Sequence, residues 1–211
     1  MPETLTIEDY DTILDALDIE DTNTIIKYFQ KFDLEPNSEL IDAPRYGNQD
    51  IEVNTYLDYV LSYNLKNVID IFIDELNLEI TDEIITHCLE LQNLDTYNYL
   101  CDLGYNPEEK TLKYVVQTCN SFIVDSILDK EKELIEYIDE DDIEYLYDIY
   151  EDISEDTVET IRVLLNYEVD LSLFKSMMKI LKEKNNNYPD YENKYIVNEI
   201  IDLLESYGVK M

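Results

Sequence analysis

The sequence has little glycine, little proline and no tryptophan: three glycines and five prolines in 211 residues. Sheets that turn often on tight hairpins need more of both, so helices are favoured. Gly47, Gly104 and Gly208 stand alone, which removes any glycine-rich loop that could cradle a phosphate. No apolar run reaches the ~18 residues of a membrane-spanning helix. The opening MPETLTIEDYDTILDALDIED has no basic stretch ahead of an apolar one, so no secretory signal is expected, and no Asn-x-Ser/Thr sequon occurs. The three cysteines, Cys88, Cys101 and Cys119, are an odd and sparse set inside apolar helical patterns. They read as free, buried thiols in a reducing compartment, so a cytoplasmic and not a secreted protein is expected.

Basic residues are scarce too. Fifteen face 50 acidic ones, a net charge of −35, while the apolar share of 45% is that of an ordinary folded protein. Phosphate-rich partners would repel such a chain. No direct contact with nucleic acid and no membrane association is expected, and a protein with a basic surface is the natural complement.

What is present is a repeated frame. TIIKYFQKFD (24–33), TYNYLCDLG (96–104), TIRVLLNYE (160–168) and EIIDLLESYG (199–208) each place two apolar, one polar and two apolar residues ahead of a stop. VIDIFIDELN (68–77) fits with a helix one residue longer. IVDSILDKE (123–131) fits with Ser126 at an apolar position and no proper stop. The equivalent positions are Phe29, Phe72, Leu100, Ile127, Leu164 and Leu204, separated by 43, 28, 27, 37 and 40 residues. Recurrence at about 20–50 residues signals stacked units, none of which can bury its apolar face alone. Another short helical pattern precedes each: 10–17, 54–63, 82–91, 108–118, 141–150 and 172–183. The predicted fold is therefore all-α, a solenoid of about six helix-turn-helix hairpins forming one domain over 1–211. Insertions fall in connections, at about 38–53, 130–140 and 185–193.

The segment DEIITHCLELQNLDTYNYLCDLGYNP (82–107) resembles a divergent ankyrin repeat. NLDTYNYLCDLGYNP stands where ankyrins carry a Gly-His-Leu-x-x-Val-x-x-Leu-Leu-like helix and a Gly-Ala-Asp-like end. Departures are clear. The Thr-Pro-Leu-His turn is missing, with Thr86 at its histidine position. Gln92 replaces the inter-helix glycine, and 27-residue spacing leaves little room for β-hairpin fingers, which are expected to be reduced or missing. Short, Tyr-, Asn- and Ile-rich repeats of this kind are similar to ankyrin proteins encoded by large AT-rich DNA viruses of protists. The resemblance implies a non-catalytic protein-interaction module, in host cytoplasm if viral, with first helices and turns forming a negative binding wall.

The run YIDEDDIEYLYDIYEDISED (137–156) holds ten carboxylates and four tyrosines with no base. As a docking patch it would use Asp139, Glu140, Asp141 and Asp142 to attract a basic partner, with Tyr145, Tyr147 and Tyr150 as anchors. As an ordinary amphipathic helix it would turn Ile143, Leu146, Ile149 and Tyr150 inward and leave the acids in water. It is no calcium loop: a frame starting at Asp139 puts Glu144 where glycine is needed and Tyr150 where glutamate is needed. Nineteen tyrosines are unusual. Tyr28, Tyr97 and Tyr99 fall on core or half-buried positions, whereas Tyr46, Tyr188 and Tyr191, in insertions, are better placed to touch a partner.

Chemistry is not indicated. His87-Cys88 with Cys101 lacks the four closely paired ligands of structural zinc, and Cys88 and Cys101 should pack inside the third hairpin. The only histidine adjoins Cys88 on a helix, where neighbours point apart, so a Cys/His nucleophile is not expected. YPDYENKY (188–195) looks superficially like a nuclease signature but reads as a turn. No enzyme activity, metal or cofactor is therefore expected. The alternatives are an acidic nucleic-acid mimic that occupies a DNA- or RNA-binding protein, and a homo-oligomer formed through the terminal repeats.

Overall fold

The four connecting turns that reverse the chain early in the fold all use one device. At Glu20, Asn64, Gln92 and Cys119 the backbone is left-handed, with φ between +51° and +57°. The next residue then donates its amide back across the helix end. Asp21 reaches the Ala16 carbonyl, Leu65 that of Val60, Asn93 that of Cys88 and Asn120 that of Val115, at 2.8–3.1 Å. This satisfies carbonyls that a helix end leaves orphaned and starts the second helix at once. Asp21, Asn93 and Asn120 then cap that helix, accepting the amides of Thr24, Thr96 and Ile123.

The computed structural model describes residues 5–40, 45–46, 51–148, 153–187 and 193–210. Along them run α1 (Ile7–Asp18), α2 (Thr22–Phe32), α3 (Tyr56–Ser62), α4 (Lys66–Asp74), α5 (Asp82–Glu90), α6 (Leu94–Asp102), α7 (Glu109–Gln117), α8 (Ser121–Lys130), α9 (Glu140–Asp148), α10 (Glu155–Asn166), α11 (Phe174–Asn187) and α12 (Lys194–Ser206). In sequence these are the six helix pairs that the apolar frame predicts, and the fold is all-α. One small exception lies in the first insertion, where β1 (Arg45–Tyr46) pairs antiparallel with β2 (Ile51–Glu52), Arg45 opposite Glu52. The second insertion contains a 3-10 turn over Lys132–Tyr137. The third lies largely outside the described residues. The helices gather into two compact units, residues 1–106 and 107–211, with three helix pairs in each.

The stop residues behave as the frame predicts. Asp33, Asn77, Gly104, Glu168 and Gly208 all have positive φ, from +55° to +96°. The residue after each donates to the carbonyl of Phe29, Phe72, Leu100, Leu164 or Leu204 respectively. Those acceptors are the repeat's marker positions, and none is more than 1% exposed. Glu131, where no stop residue was found, has φ −132° and leads into the 3-10 turn.

Within the first unit the Phe29 ring packs on Tyr56 and Phe72, with centroids 5.1 and 5.4 Å away. Polar ties then set consecutive hairpins in register. The Glu20 carboxylate accepts the Asn67 amide at 2.9 Å. Asn93 Nδ2 donates to the Leu61 and Ser62 carbonyls, and Thr96 Oγ1 donates to Leu61 at 2.8 Å. In the second unit Cys119 Sγ lies 3.6 Å from Thr157 Oγ1, and Asn193 Nδ2 donates to the Ile153 carbonyl.

Tyrosines supply a further set of ties. Tyr59 donates to Asp18 and Tyr99 to Asp70 in the first unit; Tyr167 donates to Asp125 and Tyr207 to Asn166 in the second. Each hydroxyl reaches back to the preceding hairpin. Four of the 19 tyrosines thus tie one hairpin to the one before it, as amphipathic side chains with one polar end allow.

Candidate interaction surface

The acidic run reads from sequence either as a row of attractors or as an amphipathic helix with its acids in water, and the structure divides it. Asp139 sits just ahead of α9 and its Oδ1 accepts the Asp141 and Asp142 amides at 3.0 and 3.1 Å. Asp142 answers, its Oδ2 accepting the Asp139 amide at 3.1 Å. This is reciprocal capping of a helix start, where carboxylates also meet the positive end of the helix dipole. Helix α7 closes over it. Lys113 Nζ lies 2.9 Å from Asp139, 3.4 Å from Glu109 and 3.8 Å from Asp142, and Gln117 Nε2 donates to Asp142 Oδ1 at 2.8 Å.

Asp142 is only 2% exposed, so it is a packed structural carboxylate and not an attractor. Burial raises its pKa above the ordinary carboxylate value despite the hydrogen bonds it accepts. Asp139 is held below that value, chiefly by the hydrogen bond from Lys113, whose own pKa is raised in return. Tyr147, expected as an anchor, is 5% exposed and packs inward. The buried face of α9 is Asp142, Ile143, Leu146 and Tyr147, a strip shifted from the one the apolar pattern suggests.

Asp139 stays exposed although tied to Lys113, and beyond it what stays outside is narrower. Glu140, Asp141, Glu144 and Tyr145 are exposed on α9, at spacings of four residues that place Glu140 beside Glu144 and Asp141 beside Tyr145. Tyr145 is 60% exposed. Glu140 also accepts a 2.8 Å hydrogen bond from Ser176 of α11. Tyr137, in the 3-10 turn, is exposed as well. Tyr150, Tyr188 and Tyr191 lie outside the described residues, as does the side chain of Tyr46.

The first unit carries an acidic face that the sequence reading passed over. Helix α1 holds five carboxylates and no base; Glu8, Asp11 and Asp15 are exposed along it. Ile7 and Ile19, at its two ends, are each 76% exposed.

His87 has partners that spacing could not reveal. Its Nε2 lies 2.8 Å from Asp58 Oδ1 of α3 and its Nδ1 2.9 Å from Glu90 Oε2 of its own helix. Asp58 is also the capping carboxylate of α3, its Oδ2 accepting the Asn54 and Thr55 amides at 2.9 Å. Burial pushes Asp58 up, but the hydrogen bonds from His87 and the two amides outweigh this and hold it low. The Asp58 hydrogen bond in turn raises His87. Cys88 is buried and donates to the Ile84 carbonyl, and burial pushes its thiol up to about 12, which disfavours the thiolate. Among the described residues no group of three His, Cys, Asp or Glu side chains is placed to hold a metal ion. Among them, too, no helix is long and apolar enough to cross a membrane.

No family model matches the chain, and neither a curated protein nor a solved structure is significantly similar to it.

Proposed function

We propose that the chain is a non-catalytic protein-interaction module, a divergent ankyrin-like array of helical hairpins that receives a basic protein surface in the cytoplasm. One observation carries the reading. Helix α9 presents Glu140, Asp141 and Glu144 around the 60%-exposed Tyr145, and no base lies on that helix. Acids of this kind speed encounter with a positive surface, while a rigid aromatic with a polar tip supplies contact area once the two meet. The charge imbalance extends well beyond α9. Residues 1–106 contain 24 acids and four bases.

The test is affinity capture from cell lysate on the purified chain, eluted by rising salt and compared between wild type, Tyr145→Ala and the triple variant Glu140→Gln, Asp141→Asn, Glu144→Gln. A protein that survives high salt on wild type and is lost from both variants supports the reading. Capture unchanged by either variant removes α9 as the surface. A captured set of nucleic-acid-binding proteins that added DNA displaces, with no dependence on Tyr145, would instead favour nucleic-acid mimicry.

A further inference from the structure

We infer that His87 is a proton-operated latch between the second and third helical hairpins, closed when the imidazole is doubly protonated and loosened when it is not. The argument is one of hydrogen counting. A neutral imidazole has one N–H and one lone pair. Both ring nitrogens of His87 face carboxylate oxygens, at 2.8 and 2.9 Å, and an ionised carboxylate has nothing to donate. The geometry is therefore that of an imidazolium giving one proton to each side.

The two carboxylates differ in their stake. Asp58 is half-buried and its other oxygen is committed to the Asn54 and Thr55 amides at the start of α3. Glu90 is exposed and free to turn into water. Among the described residues neither has another cationic partner within 4 Å, so His87 supplies the only positive charge in contact with this group. When the proton leaves, Asp58 keeps at most a neutral donor and Glu90 faces a lone pair. The tie between α3 and α5 then weakens from a charge-assisted pair to an ordinary hydrogen bond.

The direction with pH follows from both partners. His87 has a folded pKa above its ordinary 6.5, so its contribution is complete below 6.5 and is lost as pH rises through the folded value. Asp58 has a folded pKa below its ordinary 3.8, so its contribution is complete above 3.8 and is lost as pH falls through the folded value. The latch is closed between these limits and opens on the alkaline side, as pH rises through the folded value of His87.

Because the chain has a single histidine, the imidazole Cε1 proton of the full-length protein gives one NMR signal whose titration needs no assignment. It should titrate above 6.5, and in Asp58→Asn it should move back toward that value. Hydrogen exchange of the α5 amides, corrected for its intrinsic pH dependence, should accelerate several-fold across the His87 midpoint in wild type. In His87→Gln it should be fast at every pH. A wild-type midpoint at or below 6.5 would overturn the inference without requiring any variant to fold. So would α5 exchange that shows no step at the midpoint.

Discussion

The hydroxyl of Tyr99 donates to Asp70 Oδ1 at 2.6 Å, joining α6 to α4 through a half-buried pair. Burial and the adjoining carboxylate push the phenol up to about 12, so it remains a donor at any ordinary pH. The Lys66 ammonium lies 4.9 Å from the same ring, which adds a cation–π contact. Tyr99→Phe keeps the ring and removes only the bond. It should destabilise the first unit by about 1 kcal/mol, the usual net worth of such a bond. Tyr145→Phe, on an exposed residue, should leave stability unchanged. Urea unfolding of both variants separates tyrosines that build the stack from those free to meet a partner.

A second prediction concerns a hydroxyl without a bond. Tyr56 is fully buried against Phe29, and its Oη has no hydrogen-bond partner among the described residues. Burial pushes its pKa up to about 12. An enclosed polar group left unpaired costs about 1–3 kcal/mol relative to an apolar one of the same shape. Tyr56→Phe should therefore raise the melting temperature, against the general trend of core substitutions. A fall would mean that the hydroxyl is bonded in solution, by a buried water for instance.

The left-handed helix ends make a third. Gly104 has φ +96°, and a Cβ built there would touch nothing within 4 Å. Any cost of Gly104→Ala is then a cost of backbone conformation alone, about 1–2 kcal/mol. Glu168 is the reverse case, a residue with a side chain held at φ +64°. Its contact with Lys132 is a 3.4 Å pair at the surface, which contributes little. Glu168→Gly should stabilise the second unit by about 0.5–1 kcal/mol, relief of strain exceeding the added freedom of the unfolded chain. Opposite signs for these two substitutions would confirm that the stop position is chosen by backbone geometry.

These helix ends also show why so much of the fold was legible. A marker residue, a buried stripe and a stop are all local properties, set within about ten residues by helix period and backbone conformation. Asp33, Asn77, Gly104, Glu168 and Gly208 could be found without coordinates for that reason. The fate of Asp142 could not. It is buried because Gln117 and Lys113 of α7 supply partners from far upstream, and a run of acids gives no hint of that. Tyr147 turned inward because the face of α9 that packs is decided by its neighbours, and one residue of rotation moves a tyrosine from water to core. His87 met Asp58 for the same reason, across 29 residues of sequence.

The last prediction uses the charge itself. With 50 acids against 15 bases the folded chain repels itself, and helix α1 illustrates the strain: Asp11 and Asp15 stand one turn apart with no base on the helix. Like charges four residues apart destabilise a helix by a few tenths of a kcal/mol, and many such terms add over the surface. Unfolding relieves them by moving the charges apart. Raising sodium chloride from ~0.02 to ~0.5 M shortens the screening length to a few ångströms and removes most of the repulsion, so the melting temperature should rise at constant pH. The opposing effect is small, because the ion pairs seen are mostly exposed and such pairs lose little on screening. A melting temperature that stays flat or falls would mean that bound cations already neutralise the surface. The acidic faces of α1 and α9 would then not be open to a basic partner, and the interaction reading would lose its electrostatic basis.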